Sequence, residues 1–335
     1  MISGNLKYIK DIHYQTADAF LKAISYGGDL YSKLNGLIYR GHYSDKFELV
    51  PSLLRSGSIN TFVHNPGLNE AEYESILSLE DILISNEYEI LRAFFEAADW
   101  NRLQLPNVDR LRKTLTHPYD EVLISNAESW LPEEFWELAA LAQHYGLPTR
   151  LLDWSFDIYT SLYFACYPIL YESSETQERI FNNKKQKSED IPKIELWAMD
   201  YFHLSAFSID MHLNENRLKV IRPSYSGNPN LAAQKGVFTL WNIDKTPFIS
   251  DNVKRRLVDR TPLDKLITGI LDGAIANIIN PIFYRITLPK TEIIPLLEYV
   301  LNYGANAAAL FPGYAGVCRY IEEENRFSAI KRKRI

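Results

Sequence analysis

The spacing of apolar and polar residues predicts several helices. Apolar residues recur at intervals of three and four over residues 16–34 and over the longer stretch of residues 69–105. A further helical pattern covers residues 133–145 and ends at Gly146, a residue suited to the left-handed position that closes many helices. We therefore expect a helical insertion at about residues 69–145.

Short apolar runs between and after these helices predict strands. They cover residues 36–43, 149–155, 193–200, 236–243 and 282–289. Residues 172–192 are polar, charged and poor in branched apolar side chains, which predicts a mobile surface loop. Because the sequence has neither an internal repeat nor a segment with the composition of a linker, we expect one compact α+β domain over residues 1–335.

Composition and charge are those of an ordinary globular protein. Of the 335 residues, 46% are hydrophobic and 23% are charged, and the formal net charge of −6 argues against a protein built mainly around phosphate contacts. Cys166 and Cys318 lack metal-binding or redox spacing and indicate a reducing compartment. The N-terminus lacks the apolar core of a signal peptide, and the best apolar run, residues 159–171, is too short for a bilayer. These features predict a cytoplasmic protein without a membrane partner.

Several common catalytic motifs are missing from the sequence. It has no G-x-G-x-x-G after a predicted strand, no G-x-x-x-x-G-K-[ST], no H-E-x-x-H and no G-x-S-x-G. The seven histidines show no spacing typical of metal ligands. The sequence therefore gives no support to a nucleoside triphosphatase, a zinc protease or an α/β-hydrolase, and we expect no metal.

Tyr39-Arg40-Gly41 lies at the end of a predicted buried strand. A guanidinium followed by glycine lets a charged group and bare backbone approach a ligand closely. Guanidinium groups in such places usually bind a carboxylate or a phosphate through paired hydrogen bonds. The simpler alternative is a structural arginine that pairs with a carboxylate of a loop.

The stretch QHYGLPTRLLDWS, residues 143–155, concentrates polar side chains where a predicted helix leads into a predicted strand. His144 ends the helix, and Thr149 lies on the turn. Asp153 and Ser155 are two residues apart on the strand, so their side chains share one face. Polar groups that converge in this way make the stretch a candidate active site.

The structural alternative for these residues needs no ligand. His144 would cap the helix, and Asp153 would pair with Arg150 or Arg40. Gln234, which precedes the predicted strand at 236–243, would be a turn residue that donates to a neighbouring carbonyl.

Four blocks of the sequence together resemble the FRG domain family, which is named for its F/Y-R-G motif. They are IYRGHYSDKFELVPSLLR, LAQHYGLPTRLLDWSFDIYTSLYFACY, NLAAQKGVFTLW and LLEYVLNYGANAAALFPGYAGVCRYI, and they occur in the order of the family. QHYGLPTRLLDWS is the most specific part, and Tyr39 takes the first position of the F/Y-R-G motif. Since the blocks cover most of the chain, the resemblance implies a single FRG-type domain.

The order of elements is also similar to the ADP-ribosyltransferase fold, which implies a single compact mixed-sheet core with a helical insertion. That fold has an arginine-bearing strand, then a polar strand followed by a helix, and later a Glu or Gln turn before another strand. The corresponding residues in this chain are Arg40, Asp153-Trp154-Ser155 and Gln234. Ordinary members carry a Ser-Thr-Ser or His-Tyr pattern and a catalytic glutamate, so the Asp-Trp-Ser pattern and the glutamine are departures.

The resemblance implies NAD+ as the substrate and suggests how its diphosphate and nicotinamide would be held. Arg40, with Arg55 or Arg150, would bind the diphosphate through paired hydrogen bonds. Tyr163 or Tyr39 would offer an aromatic face to the flat, cationic nicotinamide.

The resemblance also implies roles around the ribose. Asp153 is the candidate carboxylate that stabilises a cationic ribose, and His144 would orient Asp153 or take the proton of the acceptor. Gln234 would bind the ribose hydroxyls, and Thr149 would orient the ribose or the backbone. The expected NAD+ contacts are completed by Ser155 and Gly41.

Two classes of function remain open at this point. In the first, the protein is an NAD+-dependent mono-ADP-ribosyltransferase that modifies RNA, DNA or a protein, as a toxin or antiphage defence effector. A toxin would imply a neutralising partner. In the second, the protein is a non-catalytic module that binds a nucleotide or a peptide in the same cleft. Arg40, His144 and Asp153 favour the first class, and the glutamine at position 234 favours the second.

Overall fold

The computed structural model describes most of the chain. The described residues are 8–55, 79–113, 130–181, 191–204, 218–242, 260–273 and 281–334. None of the helices in these ranges combines the length and the apolar character needed to cross a lipid bilayer. The predicted α+β class is confirmed, because these ranges contain both helices and a mixed β-sheet.

Seven strands of the described residues form one sheet. They are β1 (Ile9–His13), β2 (Ile38–His42), β3 (Leu151–Ser155), β4 (Lys193–Met199), β5 (Leu218–Ile221), β6 (Gly236–Trp241) and β7 (Phe283–Pro289). Across the sheet the order is β1-β7-β4-β2-β3-β6-β5. β1 and β7 are parallel, whereas the other neighbours are antiparallel. Strands from both ends of the chain therefore share this sheet.

Helices surround the sheet on both faces. In chain order the α-helices of the described residues are α1 (Ala17–Ile24), α2 (Tyr31–Leu34), α3 (Leu79–Trp100), α4 (Asp109–Lys113), α5 (Trp136–His144), α6 (Ile158–Cys166), α7 (Ser174–Phe181), α8 (Pro229–Ala233), α9 (Leu263–Gly273), α10 (Ile293–Tyr303), α11 (Ala307–Leu310) and α12 (Tyr314–Arg334). Helices α3 to α5 lie in the chain between β2 and β3.

The centre of the sheet is open between β2 and β3. These two strands pair with each other at a single position, Tyr39 opposite Ser155. By contrast, β2 pairs with β4 from Ile38 to His42, and β3 pairs with β6 along its whole length. Because β2 and β3 are antiparallel and pair only once, they separate toward Arg40 and Asp153. The opening thus divides two well-paired halves of the sheet.

Two hydrophobic clusters cover one face of the sheet, one on each half. The first cluster packs α1, α6 and α10 against β2, β4 and β7. The second packs α3 and α5 against β3 and β6. Alternate residues of a strand point to opposite faces, so Asp153 and Ser155 share the face of Leu151, which belongs to the second cluster. Helix α9 covers the opposite face of the sheet.

Most predicted elements are confirmed, with ends that shift by a few residues. The predicted helix over residues 16–34 forms as α1 and α2, with Gly27 in the left-handed region (φ 83°) between them. Gly146 takes the left-handed conformation (φ 98°) expected after α5. The long helix predicted over residues 69–105 ends earlier, at Trp100, and its first part, residues 69–78, lies outside the described residues.

The mobile loop predicted over residues 172–192 is wrong in its first half. Ser174–Phe181 form helix α7, in which Gln177 and Ile180 are buried. Gln177 Nε2 donates to the Ile169 carbonyl oxygen at 2.9 Å. A polar composition misled the prediction because two buried side chains are enough to anchor a short helix. Residues 182–190 lie outside the described residues.

Gly41 allows helix α6 to lie directly on strand β2. A Cβ atom at position 41 would lie 1.8 Å from the carbonyl oxygen of Ser161 and 3.0 Å from the Cβ of Ala165. The group that approaches Gly41 closely is therefore the backbone of α6. The missing side chain at position 41 sets the distance between α6 and the sheet.

We expect Gly41→Ala to lower the free energy of unfolding by about 3 kcal/mol, because the added methyl group collides with backbone that cannot rotate away. The matched control is Gly269→Ala in α9, where an added Cβ meets no atom within 4 Å. That change should be neutral or stabilising by up to about 1 kcal/mol. Urea unfolding of both variants measures the difference, and an undiminished stability of Gly41→Ala would contradict the tight packing of α6 on β2.

Candidate functional site

A cleft of about 370 Å³ lies over the opening between β2 and β3. This volume is in the range of small-molecule sites. One wall is polar and comes from the central strands, the end of α5 and the turn before β6, and its side chains include Arg40, Gln143, His144, Asp153, Ser155 and Gln234. The other wall carries the aromatic rings of Phe164, Tyr167 and Phe311.

Arg40 and Asp153 form the polar centre of the cleft. Arg40 Nη1 lies 2.6 Å from Asp153 Oδ1 and donates to the Asp153 carbonyl oxygen at 2.7 Å. The Arg40 side chain is 11% exposed and the Asp153 side chain is 61% exposed, so the carboxylate faces the open cleft. Arg40 therefore pairs with a carboxylate, as the structural alternative predicted, and the pair nevertheless lines a cleft.

The ion pair determines the protonation state of Asp153. Desolvation acts to raise the pKa of the Asp153 carboxyl, but the charge and the hydrogen bond of Arg40 outweigh it and lower the pKa below its ordinary value. A depressed pKa keeps the carboxylate ionised at neutral pH. Asp153 can therefore accept hydrogen bonds or stabilise positive charge at neutral pH.

Gln143 is a second partner of Asp153 that the sequence interpretation missed. Its Nε2 donates to Asp153 Oδ1 at 3.2 Å, and its Oε1 accepts the hydroxyl of Thr149. Thr149 also accepts the backbone N–H of Leu151 at 3.1 Å. Thr149 is buried outside the cleft, so it orients backbone and Gln143 and does not reach a ligand itself.

His144 lines the cleft at the end of α5. Burial lowers the pKa of its imidazole below the ordinary value, which keeps the ring neutral at neutral pH. Among the described residues, Arg40 and Gln143 are the side chains that bond the Asp153 carboxylate. The prediction that His144 orients Asp153 is therefore corrected, whereas its position at the cleft remains suited to proton transfer.

Ser155 and Gln234 connect β3 to the turn before β6. Ser155 Oγ donates to the Gln234 carbonyl oxygen at 2.7 Å, and it accepts the backbone N–H of Asp157 at 2.9 Å. Gln234 Nε2 donates to the carbonyl oxygen of Leu310 at 3.0 Å. The side-chain amide of Gln234 thus makes the structural contact that the simpler alternative predicted, at the edge of the cleft.

Tyr39 lines the cleft and Arg55 lies beside it, and their contacts change their expected roles. The Tyr39 ring belongs to the first hydrophobic cluster and its hydroxyl donates to the Leu34 carbonyl oxygen, so it offers no open face to a ligand. Arg55 is exposed, and its Nε donates to the Val50 carbonyl oxygen at 3.0 Å. Desolvation and the charge of Arg40 lower the pKa of Arg55, which places the two guanidinium groups near each other.

Two residues that we expected to bind NAD+ lie outside the cleft. Arg150 is 3% exposed, and its Nε donates to Glu87 Oε2 at 2.6 Å in a buried ion pair that ties α3 to β3. Tyr163 is fully buried, and its hydroxyl donates to the Glu323 carboxylate at 2.8 Å. Neither side chain can contact a ligand in the cleft, so both predictions are corrected.

The aromatic wall is held from behind by helix α12. The Arg319 guanidinium lies 4.6 Å from the ring centroids of both Tyr167 and Phe311. Its Nε donates at 2.8 Å to Glu323, the same buried carboxylate that accepts the Tyr163 hydroxyl. Sequence periodicity could have found part of this wall, since Thr160, Phe164 and Tyr167 recur at intervals of four and three.

The cleft offers groups for an organic ligand. Within the described ranges, no group of three or more His, Cys, Asp or Glu residues could hold a metal ion. The polar wall combines a guanidinium, a carboxylate, an imidazole and two amides, and the opposite wall is aromatic. Such a surface suits a ligand with both a flat ring and hydrogen-bonding groups.

Comparison with known proteins gives the family of this segment. Residues 35–177 match the family model of the FRG domain, and the chain therefore carries an FRG domain. The matched segment includes Arg40, His144 and Asp153, whereas Gln234 lies beyond it. No curated protein and no solved structure matches the chain significantly. The FRG resemblance is confirmed, and the assignment of all of residues 1–335 to one FRG-type domain stays a prediction.

We expect Arg40→Gln to raise the pKa of Asp153, because it removes the charge that lowers this pKa against desolvation. Arg55→Gln is the matched control, since Arg55 is a weaker contributor to the same depression. The carboxyl carbon resonance of Asp153, followed by NMR as a function of pH, reports both changes. An equal or smaller rise in Arg40→Gln than in Arg55→Gln would mean that the ion pair does not form in solution.

Tyr163→Phe should lower the free energy of unfolding by about 1–3 kcal/mol, because it leaves a buried carboxylate without one of its donors. Tyr26→Phe is the control, since Tyr26 is 91% exposed and should tolerate the loss of its hydroxyl. Urea unfolding compares the two variants. Equal stability of Tyr163→Phe and wild type would argue against the buried bond to Glu323.

Proposed function

We propose that the protein is an NAD+-dependent mono-ADP-ribosyltransferase that modifies a macromolecule. The observation that carries the proposal is the meeting of Arg40, Asp153 and Gln234 at one cleft. Arg40 lies on β2, Asp153 lies on β3, and Gln234 immediately precedes the turn into β6. These three strands are neighbours in the sheet. This arrangement supports an ADP-ribosyltransferase-like core, in which an arginine strand, a polar strand and a Glu or Gln turn converge.

The two walls of the cleft fit the two parts of NAD+. The outer Arg40 nitrogen, Nη2, has no partner among the described residues, and Arg55 adds a second guanidinium nearby. Together they suit the diphosphate. Phe164 and Phe311 line the other wall with ring centroids 6.2 Å apart, and they replace Tyr163 and Tyr39 as the aromatic contacts for the nicotinamide.

The polar side chains also suit the chemistry of transfer. Transfer breaks the bond between ribose C1′ and the nicotinamide nitrogen, and the electron pair leaves with nicotinamide while positive charge develops on the ribose. The ionised Asp153 carboxylate would stabilise that charge. The nucleophilic atom of the acceptor then bonds to C1′, and the neutral His144 imidazole would accept its proton.

The acceptor in this proposal is RNA, DNA or a protein. The family resemblance alone supports the further step to a toxin or antiphage defence effector, which would require a neutralising partner. The exposure of Asp153 is compatible with a large acceptor, because the carboxylate is reached from solvent.

A non-catalytic binding module is the second candidate function, and one contact favours it. Gln234 uses its amide to bind the Leu310 carbonyl, so the position that corresponds to a catalytic glutamate carries a neutral, engaged side chain. In this candidate the same cleft binds a nucleotide or a peptide, and the ion pair of Arg40 and Asp153 orients the ligand without chemistry.

Incubation of the purified protein with NAD+ labelled in its adenylate phosphate, together with a cell lysate, tests the proposal. We expect label in one of three separated pools, protein, RNA or DNA, with release of nicotinamide. Asp153→Ala should reduce the rate by about 100-fold or more, because it removes the carboxylate that stabilises the developing charge.

The control variant is Asp18→Ala, which removes an exposed carboxylate of α1 that forms an ion pair with Lys22 and should leave labelling unchanged. Circular dichroism checks that both variants are folded. Label that persists in folded Asp153→Ala would refute the role of Asp153. Absence of labelling and of nicotinamide release in the wild type, with measurable NAD+ binding, would favour the binding module.

A further inference from the structure

A line of hydrogen-bonded polar side chains runs behind the cleft from Arg40 to Arg285, and its two central members are buried. Arg40 Nε donates to His42 Nε2 at 2.9 Å, and His42 Nδ1 lies 3.2 Å from Glu195 Oε2. His42 is 4% exposed and Glu195 is 1% exposed. Glu195 also accepts Trp197 Nε1 at 2.6 Å and the Nε of Arg285. The line joins β2, β4 and β7, and its first member is the arginine of the cleft.

The chemistry of the donors determines which nitrogen of His42 carries the proton. The Nε of an arginine only donates, so His42 Nε2 must be the acceptor and must be unprotonated. His42 Nδ1 then carries the proton and donates it to the Glu195 carboxylate. The network is therefore consistent only with a neutral ring in the Nδ1–H form.

This contact restrains Arg40 on the side away from the cleft. His42 accepts from Nε, and Asp153 accepts twice from Nη1, so the guanidinium plane is held at two of its three nitrogens. Among the described contacts, the outer nitrogen, Nη2, has no partner, so it is the nitrogen that can bind a ligand. Arg40 and His42 are two residues apart on β2 and therefore share a face. The extended backbone of the strand thus brings the two side chains together.

We propose that His42, as the neutral Nδ1–H tautomer held by Glu195, is the positioning residue that orients Arg40 for ligand binding in the cleft. This inference rests on the proposed function for the identity of the ligand, NAD+. Protonation of the ring would place an Nε2–H group against the Nε–H of Arg40, and the two donors would repel each other. Arg40 would then lose its orientation while the fold persists.

The groups around His42 determine the direction of the pH dependence. Facing the ring are Arg40 on its own strand, Glu195 on β4, Asp153 on β3 and the edge of the Phe47 ring. Burial lowers the pKa of His42 below its ordinary value of 6.5, and this outweighs the Glu195 carboxylate, which acts to raise it. His42 is thus neutral at neutral pH, and the orientation of Arg40 should be lost as the pH falls through this lowered pKa.

NAD+ affinity at neutral pH tests the contact, with three variants compared by calorimetry. We expect His42→Phe, which removes the acceptor, to weaken NAD+ binding by about tenfold, the usual effect of one lost hydrogen bond to a charged group. His42→Gln keeps an acceptor and a donor and should stay within about threefold of wild type. His203→Gln is the control, because His203 is an exposed histidine that pairs with Asp200 and lies outside the cleft.

The pH profile separates positioning from a merely structural role. As the pH falls below about 6.5, wild type and His203→Gln should lose affinity, whereas His42→Gln should show a flatter profile, since an amide does not titrate in this range. Unchanged affinity in folded His42→Phe, or the same pH profile in His42→Gln and wild type, would overturn the inference.

NMR of the Arg40 Nε–H group tests the contact independently of NAD+. In the wild type, we expect the chemical shift of this resonance to follow the titration of His42. In folded His42→Phe, we expect the resonance to disappear because the proton exchanges rapidly with solvent. If the resonance behaves in this way and the wild type binds no NAD+, the proposed ligand is wrong but His42 still orients Arg40. If the chemical shift of this resonance does not change when His42 is protonated, the positioning role is overturned whatever the ligand.

Discussion

The Arg40 guanidinium bridges two strands that hardly pair with each other. β2 and β3 share one backbone pair, and beyond it Arg40 Nη1 reaches across the opening to the carbonyl and the carboxylate of Asp153. A guanidinium can replace missing ladder hydrogen bonds at a distance that backbone groups cannot span. The two strands can therefore stay apart in the middle of the sheet. The cleft lies over the opening that this leaves. The structural and functional interpretations of Arg40 are thus compatible, since the group that bridges the two strands also belongs to the polar wall of the cleft.

Sequence patterns located the strands and the polar pair on β3, because strand alternation is a local property. Asp153 and Ser155 share a face as the period of two requires. Arg150 comes just before β3, and its buried side chain forms an ion pair with Glu87 of α3 instead of binding a ligand. Closeness to Asp153 in the sequence therefore does not bring Arg150 into the cleft.

Other parts of the site depend on contacts that no local pattern encodes. Tyr163 bonds Glu323, which lies 160 residues further along the chain, and His42 bonds Glu195 at a separation of 153 residues. A tyrosine on a helix that follows a polar strand has the same sequence signature whether it faces a cleft or a buried carboxylate. The spacing of Arg40 and His42 on one strand was a usable signal, but its meaning depends on an acceptor from β4.

The cleft also extends beyond the segment that matches the FRG domain. The match supplies most of the polar wall and the rings of Phe164 and Tyr167, but Gln234 and Phe311 come from later in the chain. Helix α12 supports the aromatic wall through Arg319, which is bound to Glu323. A substitution in this last helix can therefore alter the cleft without touching a ligand.

The amide at position 234 has a physical reason in this fold. Its Nε2 donates to the Leu310 carbonyl oxygen, and a glutamate there would bring a carboxylate oxygen against another acceptor. The packing of α11 on the turn before β6 therefore selects an amide. If the cleft performs transfer chemistry, its negative charge must come from elsewhere, and Asp153 on the adjacent strand provides it, held ionised by Arg40. With a glutamine at position 234, the carboxylate of the cleft lies on β3 and not in the turn before β6. The glutamine therefore does not by itself exclude catalysis.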